Sequence, residues 1–338
     1  AHFEENGGSL TEDRVFKNGR MEPDELVQAI AILREERDKG WVLKRGARSS
    51  VPFDAILSSP VLLAPKKKDG VQKLKAAVDL VHGVVRDGTH GHPLMPVSRW
   101  CDHDSKETSK DAGDSLNDFS PMSFGGAHAK LDGVPFAAEL AMALSTNDGQ
   151  LRDGARRPIE GSTVDIKSAY RNVPIARADR RLHYFRFLDI DKPIPDYVLR
   201  GGQPRDEDLV YYEKQVLPFG WRSSVDYFVR LSKALKSLHL WDDTPGLGAR
   251  VPRAADGSRQ HDASVYIDDA GLYALRGLGE LAQQRYIELC TLLGIPVAMD
   301  KLEEEGQVGP VFAMLGRIWD FERDELRLSE KRLEILKR

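Results

Sequence analysis

Two cysteines, Cys101 and Cys290, are all that the 338 residues contain. Two thiols cannot build a disulfide framework, and their spacing matches no metal site, so they read as buried or incidental thiols of a reducing compartment. No apolar run approaches the roughly 18 residues of a membrane-spanning helix. No basic stretch followed by an apolar one marks a signal peptide. An intracellular protein, of cytoplasm or nucleus and not secreted, is expected, with no membrane partner. The chain opens at Ala1 rather than Met, as expected of a fragment of something longer. Internal repeats and low-complexity tracts are missing. So is any global excess of basic charge: 49 Lys+Arg against 53 Asp+Glu leave a formal net charge of −4, which argues against a globally basic nucleic-acid binder.

What is present is ample material for a core, with 41% hydrophobic and 30% charged residues. The basic charge is unevenly spread. Lys44, Arg45, Arg48, Lys66, Lys67, Lys68, Lys73 and Lys75 face only Asp54 and Asp69 over that interval, a local +6 that suits either a polyanion site or a solvated face. Pro23 followed by Leu26, Val27, Ile30 and Leu33 predicts a helix ending near Gly40. Val61–Pro65 and Leu74–Val81 predict two strands joined by a basic turn. From about Gly83 to Gly133 no periodicity is sustained, as in a long insertion or functional loop. Downstream, a short helix is predicted over Phe136–Leu144, a strand over Thr163–Ile166, and paired strands over His183–Leu188 and Leu209–Val216. Helices are predicted over Ser223–Leu240 and Leu275–Leu293, the second closed by Gly294. Strands follow at Val311–Trp319 and Leu326–Leu328, then a helix capped by Ser329. Without a regular βαβ rhythm, the order favours an α+β fold.

The most informative segment is Ser264-Val265-Tyr266-Ile267-Asp268-Asp269-Ala270-Gly271-Leu272-Tyr273. Two β-prone runs flank an Asp-Asp pair, a hairpin whose tight turn presents adjacent carboxylates. Side by side these repel, a cation relieves the repulsion, and hard oxygen ligands suit magnesium. The same pair also suits an ordinary solvated turn. A second acidic site, Val164-Asp165-Ile166-Lys167-Ser168-Ala169-Tyr170, lies at the end of a strand. Between them runs Leu217-Pro218-Phe219-Gly220-Trp221, a strand end and glycine turn entering a helix.

Asp-x-x-x-Ala-Tyr, then Leu-Pro-Phe-Gly-Trp, then Tyr-Ile-Asp-Asp resembles, in that order, the palm of a reverse transcriptase. Around these motifs, Leu293 to Lys301 is similar to the segment after the catalytic hairpin of that family. Phe312-Ala313-Met314-Leu315-Gly316 is similar to its strand beside the primer, and Lys66 to Asp79 to its fingers hairpin. The match spans roughly residues 55–325. It implies a right-hand polymerase palm, an antiparallel sheet packed on helices, with a fingers subdomain and no thumb. The expected blocks are an N-terminal extension (1–54), fingers with a long insertion (55–160), palm (161–325) and the start of a connection (326–338).

The resemblance further implies RNA-directed DNA synthesis, a nucleotidyltransferase reaction on a primer 3′-OH with dNTP and an RNA or DNA template, in a retroelement such as a retrotransposon. Phosphoryl transfer builds charge on attacking and leaving oxygens, which two Mg2+ ions (or Mn2+) about 3.5–4 Å apart can stabilise. Asp165 and Asp268 are the implied bridging ligands and Asp269 the supporting one. Tyr170 would lie beneath the incoming sugar, with Phe219 and Gly220 in the nucleotide floor, or else packed as a helix-entry turn. Lys68, Lys73 and Lys75 are candidate triphosphate contacts, or solvated lysines. Lys301 is either a general acid toward pyrophosphate or a strand cap. Tyr266, Trp221, Leu315 and Gly316 would meet nucleic acid.

The sequence departs from the family at several points. The interval from Asp79 to Asp165 is long, Val225 replaces a usual Pro or Ala, and the strand carrying Asp79 lacks a common Asn. Two other functions stay open: a domesticated, catalytically inactive palm that binds nucleic acid or protein, and an RNA-dependent RNA polymerase, which Tyr170 disfavours. Template preference, priming and oligomeric state are not legible.

Overall fold

The computed structural model describes residues 12–15, 21–59, 61–68, 71–78, 131–146, 156–218, 221–329 and 332–333. In chain order the first elements are β1 (Arg14–Val15), α1 (Pro23–Asp38), β2 (Val42–Gly46), β3 (Leu57–Ser59), β4 (Val61–Lys68) and β5 (Val71–Val78). They are followed by α2 (Val134–Thr146), β6 (Ile159–Asp165), β7 (Tyr184–Leu188), a single-turn α3 (Asp196–Leu199), β8 (Leu209–Lys214) and α4 (Arg222–Leu240). The last stretch holds β9 (His261–Tyr266), β10 (Asp269–Leu275), α5 (Gly279–Leu292), α6 (Met299–Glu305), β11 (Val311–Met314), β12 (Arg317–Asp320) and β13 (Glu325–Leu328). The result is an α+β arrangement of largely antiparallel sheets and helices. Among the described residues no helix is long and apolar enough to cross a membrane.

Two compact units share the chain, each drawing on two separate stretches: Ala1–His128 with Tyr170–Val225, and Ala129–Ala169 with Asp226–Arg338. The first unit centres on a five-stranded sheet in the order β1-β3-β7-β8-β2. Pro23 starts α1 at the position where a missing N–H costs nothing, and the Glu22 amide donates to the Glu25 carboxylate at 2.9 Å. Leu26, Ala29, Ile30 and Leu33 then form the buried stripe of α1 against Val42, Phe185, Phe187 and Tyr212. Val27, predicted on that stripe, is exposed, and Ala29 packs in its place. Gly40, at φ +71°, turns the chain out of the helix.

The basic region is partly neutralised within this unit. Lys44 pairs with Asp189 and Asp191, Arg45 with Glu213 at 2.7 Å, and Arg48 with Asp13. The local +6 is therefore lowered by internal carboxylates before any partner arrives. The remaining five lysines lie on the β4–β5 hairpin, which pairs antiparallel from Val61↔Val78 to Lys68↔Val71.

The second unit is built on the antiparallel sheet β6-β10-β9. α2 and the β11-β12-β13 sheet share one core, with Ala137, Ala141 and Leu144 meeting Tyr273, Phe312, Met314 and Trp319. This close packing needs glycines in the central sheet. A Cβ on Gly161 would stand 2.4 Å from the Phe312 ring, and one on Gly271 would stand 2.2 Å from the Met314 sulfur. α5 buries Ala282, Tyr286, Leu289 and Cys290. Burial pushes the Cys290 thiol up to about 12, as suits an inert core cysteine; Cys101 lies outside the described residues.

Three expectations need correction. The single strand predicted over Val311–Trp319 is two, folded back at Leu315 (φ +52°) and Gly316 (φ +71°) so that Met314 pairs with Arg317. Both central residues have positive φ, the pattern of a tight hairpin. The helix predicted from Leu275 begins at Gly279, because Leu275 still pairs with Ile159 and the chain turns at Gly277, φ +88°. The strand predicted over Thr163–Ile166 begins earlier, at Ile159. The long loop predicted from about Gly83 falls almost wholly outside the described residues.

Candidate active site

Strand register brings the two acidic motifs together. Asp165, the last residue of β6, is the direct cross-strand partner of Asp269, the first of β10. Directly opposed residues in an antiparallel pair have Cα atoms about 4.5–5.5 Å apart. On its other side Asp269 pairs with Tyr266, which leaves Ile267 and Asp268 as a two-residue turn. Such turns demand φ > 0 at the first central residue. Ile267 supplies it at φ +56°. A β-branched residue there is strained by about 1–3 kcal/mol and persists only when its surroundings hold it. The Ile166 amide donates to the Asp268 carbonyl at 3.1 Å, and the Ser232 hydroxyl of α4 donates to the Ile267 carbonyl.

The electrostatics follow from this crowding. Like charges set opposite one another on a sheet repel. Loss of water at the half-buried Asp268 pushes its carboxyl above the ordinary aspartate range, and a bond from its own backbone amide opposes this only in part. Asp165, whose side chain is 12% exposed, is paired with the Lys301 ammonium. The path of the chain explains the pairing. The Lys167 amide donates to Pro296 O at 2.8 Å and the Ala298 amide to Asp165 O at 2.9 Å, so the segment entering α6 runs beside the end of β6. Lys301 thus sits on a short helix, in contact with an acidic side chain. Among the described residues no three His, Cys, Asp or Glu side chains are grouped closely enough to hold a metal ion.

No protein-family model matches this chain, and no curated protein matches it. Among solved structures it is similar to a foamy viral protease-reverse transcriptase in complex with double-stranded DNA, at 14% identity and a TM-score of 0.53. The match covers 98% of this chain and 39% of that one. The fold is distantly reverse-transcriptase-like. The chain spans about two fifths of the length of that neighbour.

The other expected site residues of this reverse-transcriptase-like fold are placed as follows. Tyr170 is half-buried in a 3₁₀ turn, Ala169–Asn172, and the Val173 amide donates to its carbonyl at 3.2 Å. Trp221 is 3% exposed with its ring edge-on to His183 at 4.6 Å, so as placed it is packed in the protein interior and offers no face to nucleic acid. Tyr266 is half-buried at the end of β9. Leu315 and Gly316 form the β11–β12 turn. Phe219 and Gly220 lie outside the described residues, as do the side chains of Lys68, Lys73 and Lys75.

Two residues that sequence reasoning missed emerge here. Arg171, next to Tyr170, is buried and donates to Glu36 of α1 at 2.6 Å, with its guanidinium 5.7 Å from the Trp41 ring centre. Ser232 is one of several buried polar residues of α4, beside Ser223, Ser224 and His239. Nothing in the local sequence sets Ser232 apart from these, and nothing local marks Arg171 as buried.

Proposed function

We propose that the chain is the DNA-synthesising part of a retroelement reverse transcriptase, an RNA-directed DNA polymerase with residues 161–325 as its palm and the β4–β5 hairpin as part of its fingers. The observation that carries this reading is the β6–β10 register, which sets Asp165 against Asp269 and beside Asp268 although 103 residues separate Asp165 from Asp268. The fold likeness to a reverse transcriptase supports it, and the bound double-stranded DNA of that neighbour supports a nucleic-acid substrate.

The donor chemistry suits Mg2+ or Mn2+ although the three carboxylates are not drawn into one cage: carboxylates are hard oxygen donors, one or two of them together with substrate phosphates suffice for Mg2+, and a nearby cation offsets the cost of ionising the half-buried Asp268. Asp165, Asp268 and Asp269 would hold the ions. When bound, they supply charge stabilisation for the attacking and leaving oxygens of phosphoryl transfer. Lys301, 59% exposed, stands in for a cation at Asp165. Released from that carboxylate, its Nζ can carry a proton toward the leaving pyrophosphate. The Tyr170 ring disfavours a ribose 2′-OH and so selects dNTP over rNTP.

The test is divalent-dependent extension of a primed RNA template with dNTP, set beside a primed DNA template. Asp268→Asn is expected to reduce incorporation at least about a hundredfold. Undiminished incorporation by Asp268→Asn refutes the assignment. The ion pair between Asp165 and Lys301 favours one second reading, a palm that binds nucleic acid without catalysis. That reading predicts duplex binding indifferent to Mg2+ and no incorporation on either primed template.

A further inference from the structure

We propose that Ser232 is a positioning residue: its hydroxyl tethers the Ile267 carbonyl and holds the Ile267–Asp268 turn in the backbone state that aims the carboxylates. The inference rests on the reading above, in which that turn binds cations.

Ser232 is 1% exposed on α4 and reaches two carbonyls, Phe228 O at 3.0 Å and Ile267 O. A hydroxyl has a single proton to donate. The Phe228 carbonyl already faces the Ser232 amide in the regular helical bond. Donation to Ile267 therefore satisfies a carbonyl of a two-residue turn, whereas donation to Phe228 adds a redundant bond. The recipient is also the one residue of the turn whose φ, +56°, opposes its side chain. Without a tether the Ile267 backbone gains by relaxing toward negative φ. That change rotates the peptide joining it to Asp268.

A second contact from α4 shows that the hairpin is held along its length. Lys236, one helical turn after Ser232, pairs with the Asp132 carboxylate at 3.2 Å. Asp132 in turn accepts from the Val265 amide at 3.1 Å and donates its own amide to Val265 O at 3.3 Å. The outer edge of β9 is thereby fixed two residues before Ile267. Beyond it, the Ile166 amide holds the Asp268 carbonyl at 3.1 Å, so of the two carbonyls of the turn Ser232 secures that of Ile267.

Glycine adopts positive φ without strain, so Ile267→Gly makes the tether unnecessary while leaving both aspartates in place. The experiment is a double-mutant cycle of Ser232→Ala and Ile267→Gly in the full chain, read by Mn2+ titration and by the urea unfolding midpoint. Ser232→Ala alone is expected to weaken Mn2+ binding about tenfold, the equivalent of one buried hydrogen bond. On the Ile267→Gly background the same change is expected to cost less than about threefold. Equal losses on the two backgrounds, or no loss in Ser232→Ala, overturn the proposal, because a merely structural serine acts alike in both. Should the parent chain bind no Mn2+, the polymerase reading fails, and the urea midpoints still decide the tether: additive shifts refute it, and a rescue by Ile267→Gly supports it.

Discussion

Glu36 on α1 accepts a 2.6 Å hydrogen bond from Arg171, and the two side chains are 11% and 5% exposed. This buried pair ties the turn that carries Tyr170 to the first helix. Removing one partner leaves an unpaired charge in the core, at a cost of about 3–5 kcal/mol, whereas replacing both with apolar residues of similar volume is close to neutral. Arg171→Ala is therefore expected to lose about 3 kcal/mol or more in urea denaturation, and Glu36→Leu/Arg171→Met at most about 1 kcal/mol. A double variant less stable than either single one would show that the pair itself stabilises the unit.

Three buried histidines set the acid limit of stability. Burial pushes His183 down to about 3, with nearby Lys214 adding to it, and His261 down to about 4. His239 is driven well below its ordinary value by burial, with His261 and Arg285 adding to it. In the unfolded chain each takes up a proton near pH 6.5, while the folded chain resists until far lower. The unfolded state thus binds more protons in that window, so the contribution is complete above about pH 6.5 and lost as pH falls, by up to about 1.4 kcal/mol per pH unit for each histidine. Urea midpoints are expected to drop steeply from pH 7 to pH 5, and less steeply in His261→Gln. A flat profile over that range would contradict the burial of these rings.

Gly161 has no room for a methyl group. It exchanges backbone bonds with Gly309, its amide to Gly309 O at 2.8 Å and the Gly309 amide to its own carbonyl at 3.1 Å, while the Phe312 ring covers it. Gly161→Ala is expected to destabilise by about 1–3 kcal/mol through overpacking. Phe312→Leu, which shortens the opposing ring, is expected to recover part of that loss in the double variant, measured by thermal unfolding. A Gly161→Ala variant as stable as the parent would place Phe312 elsewhere.

Much of this arrangement could be read from residue order, and the limits have physical causes. The Tyr266-Ile267-Asp268-Asp269 turn was legible because alternating β-prone runs leave so few residues between them that only a tight hairpin fits. α4 was legible from Phe228, Leu231, Leu235 and Leu238 at helical spacing. The fold at Leu315–Gly316 was not, because Leu has no preference for positive φ and the apolar pattern runs through it unbroken. Register across β6 and β10 is a tertiary property: nothing near Asp165 says that its strand partner is Asp269 and not a neighbour. The same holds for Lys301, whose partner is 136 residues away along the chain.

That ion pair supports the last prediction. The Lys301 ammonium competes with any divalent ion for the Asp165 carboxylate, since both neutralise the same charge. Lys301 is mostly exposed, so the competition is screened by water and worth about 0.2–1 kcal/mol. Lys301→Met keeps the length of the side chain and removes its charge. It is expected to raise Mn2+ affinity by about two- to fivefold, read by titration. Under the general-acid role its incorporation rate at saturating metal is expected to fall, about 10²–10⁴-fold. Tighter metal binding with an unchanged rate would leave Lys301 as a placeholder cation only. Weaker metal binding would mean that the lysine orients Asp165 for the ion instead of opposing it, and the competition argument would be wrong.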